Sequence, residues 1–189
     1  MPAGPTTPDR ILESARVLFN QKGYSATPLA EIASSIGIAQ GNLTYHFPTK
    51  RKLALEIEKR LRTQVRAERA GFPDNPDIDD YLDLFLTEME LTWEHRFLLR
   101  DRAQLATASR SQRRDPDMAA NFERLHELLE HMQKQEMFRQ DLGLDLKALA
   151  RSIWIVGRYW ADHLAEIEGI EEASLVDRER GLQNYFAVL

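Results

Sequence analysis

Apolar residues recur along this chain every three or four positions. No sustained alternation of period two and no flanked hairpin turn appears, so the pattern predicts helices throughout. The first runs through "TTPDRILESARVLFNQKGY". Ile11, Leu12, Ala15, Leu18 and Phe19 share one face; Thr7 can cap the start, Pro8 suits the first turn, and Asp9 favours the positive end of the helix. Gly23 stops it as a residue tolerant of a left-handed cap. The second helix is "TPLAEIASSIG", capped by Thr27, led by Pro28, and carrying Leu29, Ile32, Ala33 and Ile36 inward up to Gly37. A third follows after two or three residues, from Ala39 to about His46, with Leu43 and Phe47 inward. Two short helices joined through a glycine turn have the helix-turn-helix pattern.

A long fourth helix is expected over 49–71, from a Thr49 cap to Gly71, with Leu53, Leu55, Ile57, Leu61 and Val65 as its apolar positions. The "FPDNPD" segment after it is the clearest break in the chain. Five further helices are predicted at about 77–95, 97–109, 116–137, 145–167 and 171–187. The fold class is therefore all-α with about nine helices: a three-helix helix-turn-helix head at residues 1–50, and a larger helical domain at 51–189 joined to it by the long helix.

Composition narrows the class. There is no cysteine, which excludes disulfides, thiolate metal sites and thiol nucleophiles and fits a reducing cytoplasm. The opening "MPAGPTTPDR" lacks the basic start and apolar run of a secretory signal, and Lys147, Arg151 and Arg158 interrupt the most apolar stretches, so no membrane span is expected. The net charge of −5 conceals an asymmetry: residues 1–70 carry +5 and the remainder −10. A basic head on an acidic body points the head toward a polyanion.

Within the head, "GNLTYHFPTK" crowds an amide, hydroxyls, an imidazole and a lysine onto one short helix and the start of the next. On a recognition helix these residue types suit duplex DNA. The amides of Gln40 and Asn42 can pair with adenine edges, and Gly41 admits close backbone approach. Thr44, Tyr45 and His46, one turn later, would bond phosphates and set register, with Lys50 at the next helix start adding charge.

Positions 10–55, and above all "ATPLAEIASSIGIAQGNLTYHFPTKRKL", resemble the DNA-binding head of the tetracycline-repressor (TetR) family of bacterial regulators. The Gly-Ile turn, Gly41, Leu43, the aromatic-His-Phe ending and Lys50 fall at the family's spacing. Two positions depart from it: Thr44 stands where the family commonly has Tyr, and Ala39 where it often has Ser or Thr. The family's second-helix cap is often a hydroxyl at position 28, proline here, and Thr27 is expected to take over that role and join the DNA-binding set. The resemblance implies a ligand-responsive repressor on a palindromic double-stranded operator. It also implies a cytoplasmic homodimer whose effector alters the spacing of two heads, with the long helix as lever. No cofactor is implied.

The acidic body would supply the effector cleft and the dimer face. Met89, Trp93, Phe122, Leu125 and Trp154 offer an aromatic and thioether lining with Arg158 as the orienting charge. Leu146, Leu149, Ile153, Val156, Trp160 and Leu164 form one apolar stripe on helix 145–167, and Ala150, Trp154, Gly157 and Ala161 a second. A helix with two apolar faces is either fully buried in a monomer or shared between core and partner; a homodimer is expected, with Leu175, Leu182, Tyr185 and Phe186 of the last helix joining the interface. One alternative is a carboxylate-bridged metal enzyme: Glu123 and His126 have the Glu-x-x-His spacing, with Glu127, Glu130 and His131 nearby. Such a site needs two of these pairs, and the chain has one. A DNA-binding protein without an effector is the other, and an acidic body of this size argues against it.

Overall fold

A computed structural model describes residues 4–105, 116–139, 141, 143–170, 180, 181 and 183, and those residues form helices with no strand among them. The head comprises α1 (Thr7–Lys22), α2 (Leu29–Ser35), α3 (Gln40–His46) and the start of α4 (Lys50–Ala70). Then come α5 (Ile78–Glu94), two one-turn helices, α6 (Phe97–Arg100) and α7 (Arg102–Leu105), and the long α8 (Pro116–Lys134) and α9 (Leu146–Glu166). The helix expected over 171–187 lies outside the described residues, apart from helical positions 180, 181 and 183.

Local chemistry sets the helix ends. α1 is capped by Thr6 and not by Thr7. Thr6 stands three residues before Asp9, so the two cap each other reciprocally: the Thr6 N–H donates to Asp9 Oδ2 at 3.0 Å, and the Asp9 N–H to Thr6 Oγ1 at 3.4 Å. Thr7 would face Arg10, which offers no carboxylate. The Thr6 hydroxyl and then Arg60, whose Nη1 donates to Asp9 Oδ1 at 2.7 Å, draw the Asp9 pKa down to about 2.

The sequence places Thr27 as the cap of α2, and the structure corrects this. Pro28 occupies the cap position with no side-chain bond. Thr27 is fully buried, and its hydroxyl donates to Gly23 O at 2.9 Å. The buried hydroxyl must find its partner inside the head and takes the part-buried carbonyl of Gly23 that closes α1, whereas the exposed start of α2 is open to water. Between α2 and α3, Gly37 has φ +70°, its N–H donates to Ser34 O, and the Ile38 N–H reaches Ala33 O, which closes α2 with a left-handed residue. Thr49 caps α4 as expected, accepting from the Lys52 N–H at 3.1 Å.

The chain divides into two compact units, Met1–Phe72 with Leu91–Thr107, and Pro73–Glu90 with Ala108–Leu189. The core of the first joins Ile11, Leu12, Ala15 and Phe19 of α1 to Ile32 and Ala33 of α2. Leu43 of α3, Leu53, Ala54 and Ile57 of α4, and Phe97 of α6 complete it. Leu55, one of the apolar positions of α4, is 40% exposed, because it lies two positions from both Leu53 and Ile57 and so points off their stripe. The expected helix over 97–109 is interrupted at Asp101 (φ −95°, ψ 15°), and its last residues fall outside the described set. In the second unit α8 packs on α9, with Phe122 meeting Trp154 edge-on at 6.1 Å between ring centres. Tyr81, Phe85 and Met89 of α5, Leu129 and Met132 of α8, and Leu149, Ala150, Ile153 and Leu164 of α9 are buried.

Candidate nucleic-acid interface

α3 has one apolar anchor and a polar outer face. Leu43 is completely buried, whereas Gln40, Gly41 and Asn42 are exposed and Tyr45 is 83% exposed. A Cβ at Gly41 would meet no protein atom within 4 Å. The glycine is thus not required by the packing of the chain itself. The Thr44 hydroxyl donates back into its own helix, 3.1 Å from both Gln40 O and Gly41 O, so its proton is turned away from an outside acceptor. His46 is half-buried, its ring 5.2 Å from Tyr45 and nearly perpendicular to it.

Lys50, expected to reach outward, is partly engaged within the fold. Its Nζ donates to Tyr24 O at 2.7 Å and Ser25 O at 3.1 Å and lies 4.7 Å from the centre of the Tyr24 ring. Burial lowers its pKa. An ammonium has three protons. Two are directed at the turn between α1 and α2, which leaves one for an external acceptor. Arg51 and Lys52, on the next positions of α4, are exposed. Arg10 braces the turn into α3 by donating to Ile36 O at 2.7 Å.

The residues that hold the end of α1 are not foreseen by sequence reasoning. Asn20 is 6% exposed; its Nδ2 donates to Glu94 O at 2.6 Å and its Oδ1 accepts the Phe97 N–H at 3.1 Å. Arg100 donates to Phe19 O at 2.6 Å and Asn20 O at 3.0 Å, in the last turn of α1; Phe19 O also accepts the Gly23 N–H at 2.9 Å. Asp101 Oδ2 accepts the Tyr24 N–H at 2.9 Å, and Arg16 donates to Glu94 O at 2.7 Å. The available signal was a polar Asn directly after Phe19 at the end of an apolar helix face, which on its own names no partner.

The proposed effector residues are distributed over both units. Met89, Phe122, Leu125, Trp154 and Arg158 belong to the second. Trp93 belongs to the first, with the Arg96 guanidinium 4.6 Å from its ring centre. Phe122 and Trp154 touch, Met89 is buried, and Arg158 lies 5.6 Å from the Tyr159 ring centre. Of the carboxylate and imidazole candidates on α8, His126 pairs with Glu130 at 3.9 Å. Among the described residues no three such groups converge as a metal site would require.

A short helix with an exposed polar face, set on a helix-turn-helix core and braced from behind, defines a DNA-binding regulator by its form. The family "Bacterial regulatory proteins, tetR family" matches residues 11–57, and "Bacterial transcriptional repressor" matches residues 56–189. The chain belongs to the tetR family and is a bacterial transcriptional regulator. It is 36% identical over 97 residues to the HTH-type transcriptional regulator QacR of Staphylococcus aureus, covering 49% of this chain and 50% of QacR. It thus matches about half the length of that relative. It is 27% identical over 164 residues to the HTH-type transcriptional regulator AcrR of Shigella flexneri, covering 80% of this chain and 75% of AcrR. The crystal structure of a TetR-family transcriptional regulator from Marinobacter aquaeolei shares the fold. Its TM-score is 0.77 at 24% identity, covering 96% of this chain and 88% of that one.

Proposed function

We propose that this regulator is a repressor that binds a palindromic operator as a homodimer and is released by a small molecule. The observation that carries the DNA reading is the outer face of α3: Gln40, Asn42 and Tyr45 project from a helix anchored by Leu43, around a glycine that the protein's own packing does not require. A recognition helix needs such a face, with amides for base edges, a phenol for phosphate and close backbone approach. The third proton of Lys50, Arg51 and Lys52 would supply the positive charge, and Thr44 and His46 flank the contact. Thr27 is fully buried and serves the fold, so it drops out of the DNA-contacting set.

The dimer reading is supported by α9, where Ile155 is 51% and Tyr159 57% exposed, one turn apart on a face that a second copy would cover. The effector cleft is assigned to the second unit around Met89, Phe122, Leu125, Trp154 and Arg158, with Trp93 as the remaining candidate. Operator binding would put the protein's work in the cytoplasm, and a regulatory role without catalysis is supported by two relatives that are HTH-type transcriptional regulators.

The test is selection of bound duplexes from random DNA. Enrichment of a two-fold symmetric sequence supports the reading, and its absence defeats it. Gln40→Ala should relax preference at one or two base pairs. Lys50→Ala should weaken all duplexes alike and reduce the salt slope by about one unit. Light scattering should give twice the 21.8 kDa chain mass. A ligand that releases the selected duplex should also change tryptophan emission, and Trp154→Ala should lose that change.

A further inference from the structure

The turn that holds Lys50 is itself held from a distant part of the chain. Lys50 reaches the carbonyls of Tyr24 and Ser25, and those two residues are fixed by the segment that includes α6 and α7. Asp101 accepts the Tyr24 N–H at 2.9 Å, and the Ser25 hydroxyl donates to Gln104 Oε1. Arg100 closes the preceding carbonyls of α1 and meets Asp101 Oδ2 at 3.3 Å. Asp101 is only 7% exposed, so its carboxylate is held by these donors and not by bulk water. A chain of contacts thus runs from Arg100 and Asp101 through the backbone of Tyr24, its N–H on one side and its C=O on the other, to the ammonium of Lys50, all within the first compact unit.

We propose that Asp101 and Arg100 are positioning residues for DNA binding. They fix the turn between α1 and α2, and the turn aims the Lys50 ammonium at a phosphate. The inference rests on the reading of α3 and Lys50 as the DNA contact and adds its regulation. Residues 91–94 are the last turn of α5, whose preceding turns belong to the second unit, so this segment is covalently continuous with the part of the chain assigned to the effector. An element that both holds the turn and continues into the effector unit can transmit a change of state only if it contacts the DNA-binding residues differently in the two states.

The experiment uses the full chain and the duplex selected from random DNA, titrated over a range of salt. Asp101→Leu removes the acceptor at similar volume. It should lower affinity about tenfold, as loss of a supporting contact behind a binding group does, and should reduce the salt slope by about one unit, as Lys50→Ala does. Asp101→Asn keeps an oxygen for the Tyr24 N–H and should stay within about threefold of wild type. In a Lys50→Ala background Asp101→Leu should add little, because its effect passes through Lys50. Arg100 is 36% exposed at its side chain, so Arg100→Gln gives a second variant that folds if Asp101→Leu does not, and it should show the same non-additivity. An unchanged salt slope, with losses from residues 50 and 101 that sum in full, overturns the proposal and leaves these residues a role in stability alone. Failure of the wild-type chain to enrich any duplex defeats the DNA reading beneath it.

Discussion

Replacing Asn20 by Ala tests the attachment of residues 94–97 to α1 in energetic terms. The amide makes two bonds that differ in what their loss leaves behind. Glu94 O keeps its bond from Arg16 Nη1 at 2.7 Å, so losing the Asn20 Nδ2 donor costs about 1 kcal/mol, a typical net hydrogen bond. Among the described residues the Phe97 N–H has its acceptor in Asn20 Oδ1, in a residue that is 0% exposed, and stranding it costs about 1–3 kcal/mol more. The expected destabilisation is about 2–4 kcal/mol. Amide hydrogen exchange reads it locally: the Phe97 amide should lose protection by about 30-fold or more, corresponding to about 2 kcal/mol. Asn20→Asp gives the contrast, since it keeps an oxygen for the Phe97 N–H but sets a carboxylate oxygen against Glu94 O, so Phe97 protection should recover more than global stability does. A loss below about 1 kcal/mol with Phe97 protection intact would refute the reasoning.

Burial pushes the His95 ring below its ordinary value of 6.5, so the folded state favours the neutral form. As pH falls through that value the unfolded chain takes up a proton that the folded chain refuses, so stability should drop, and the drop should be shallower in His95→Gln when denaturation midpoints are compared across this range. Tyr45→Ala should change unfolding by no more than about 0.5 kcal/mol, as for an exposed side chain, while affinity for the selected duplex falls roughly tenfold; equal affinity would remove Tyr45 from the contact. A Cβ at Gly181 would lie 2.2 Å from Met89 Cε and 2.7 Å from Trp160 Nε1, so Gly181→Ala should cost about 1–3 kcal/mol by overpacking, and a neutral result would mean that this packing yields freely.

The head was legible because its determinants are local. Gly23 and Gly37 mark helix ends, Thr49 caps α4, and the Ile11–Phe19 stripe repeats at helical spacing, all within a few residues of the structure they specify. Capping was read less well. Thr6 and Asp9 form a reciprocal pair that the sequence displays openly, and the buried hydroxyl of Thr27 serves the Gly23 carbonyl that closes α1 instead of the start of α2. The hold of Asn20, Arg100 and Asp101 was not legible at all. These are single polar contacts between positions 74 to 81 residues apart, and such contacts leave no period in the sequence. The break at Asp101 was hidden for the same reason, since its carboxylate is committed to Tyr24 rather than to its own helix.

The return of residues 91–107 to the head also limits how far this protein can be treated as modular. Sequence similarity draws the head's edge at residue 57, and the Gly-Pro-rich break draws it near residue 72. A fragment cut at either point would carry every helix proposed to touch DNA and still leave Asn20 O without Arg100, the Tyr24 N–H without Asp101, and Phe19 O with the Gly23 N–H alone. A head exchanged between two relatives would bring its own residue 20 against a stranger's residues 97 and 100. Transplants should therefore take 91–107 with them as a second piece, and in evolution these two stretches should change in concert although a whole helix and a linker separate them.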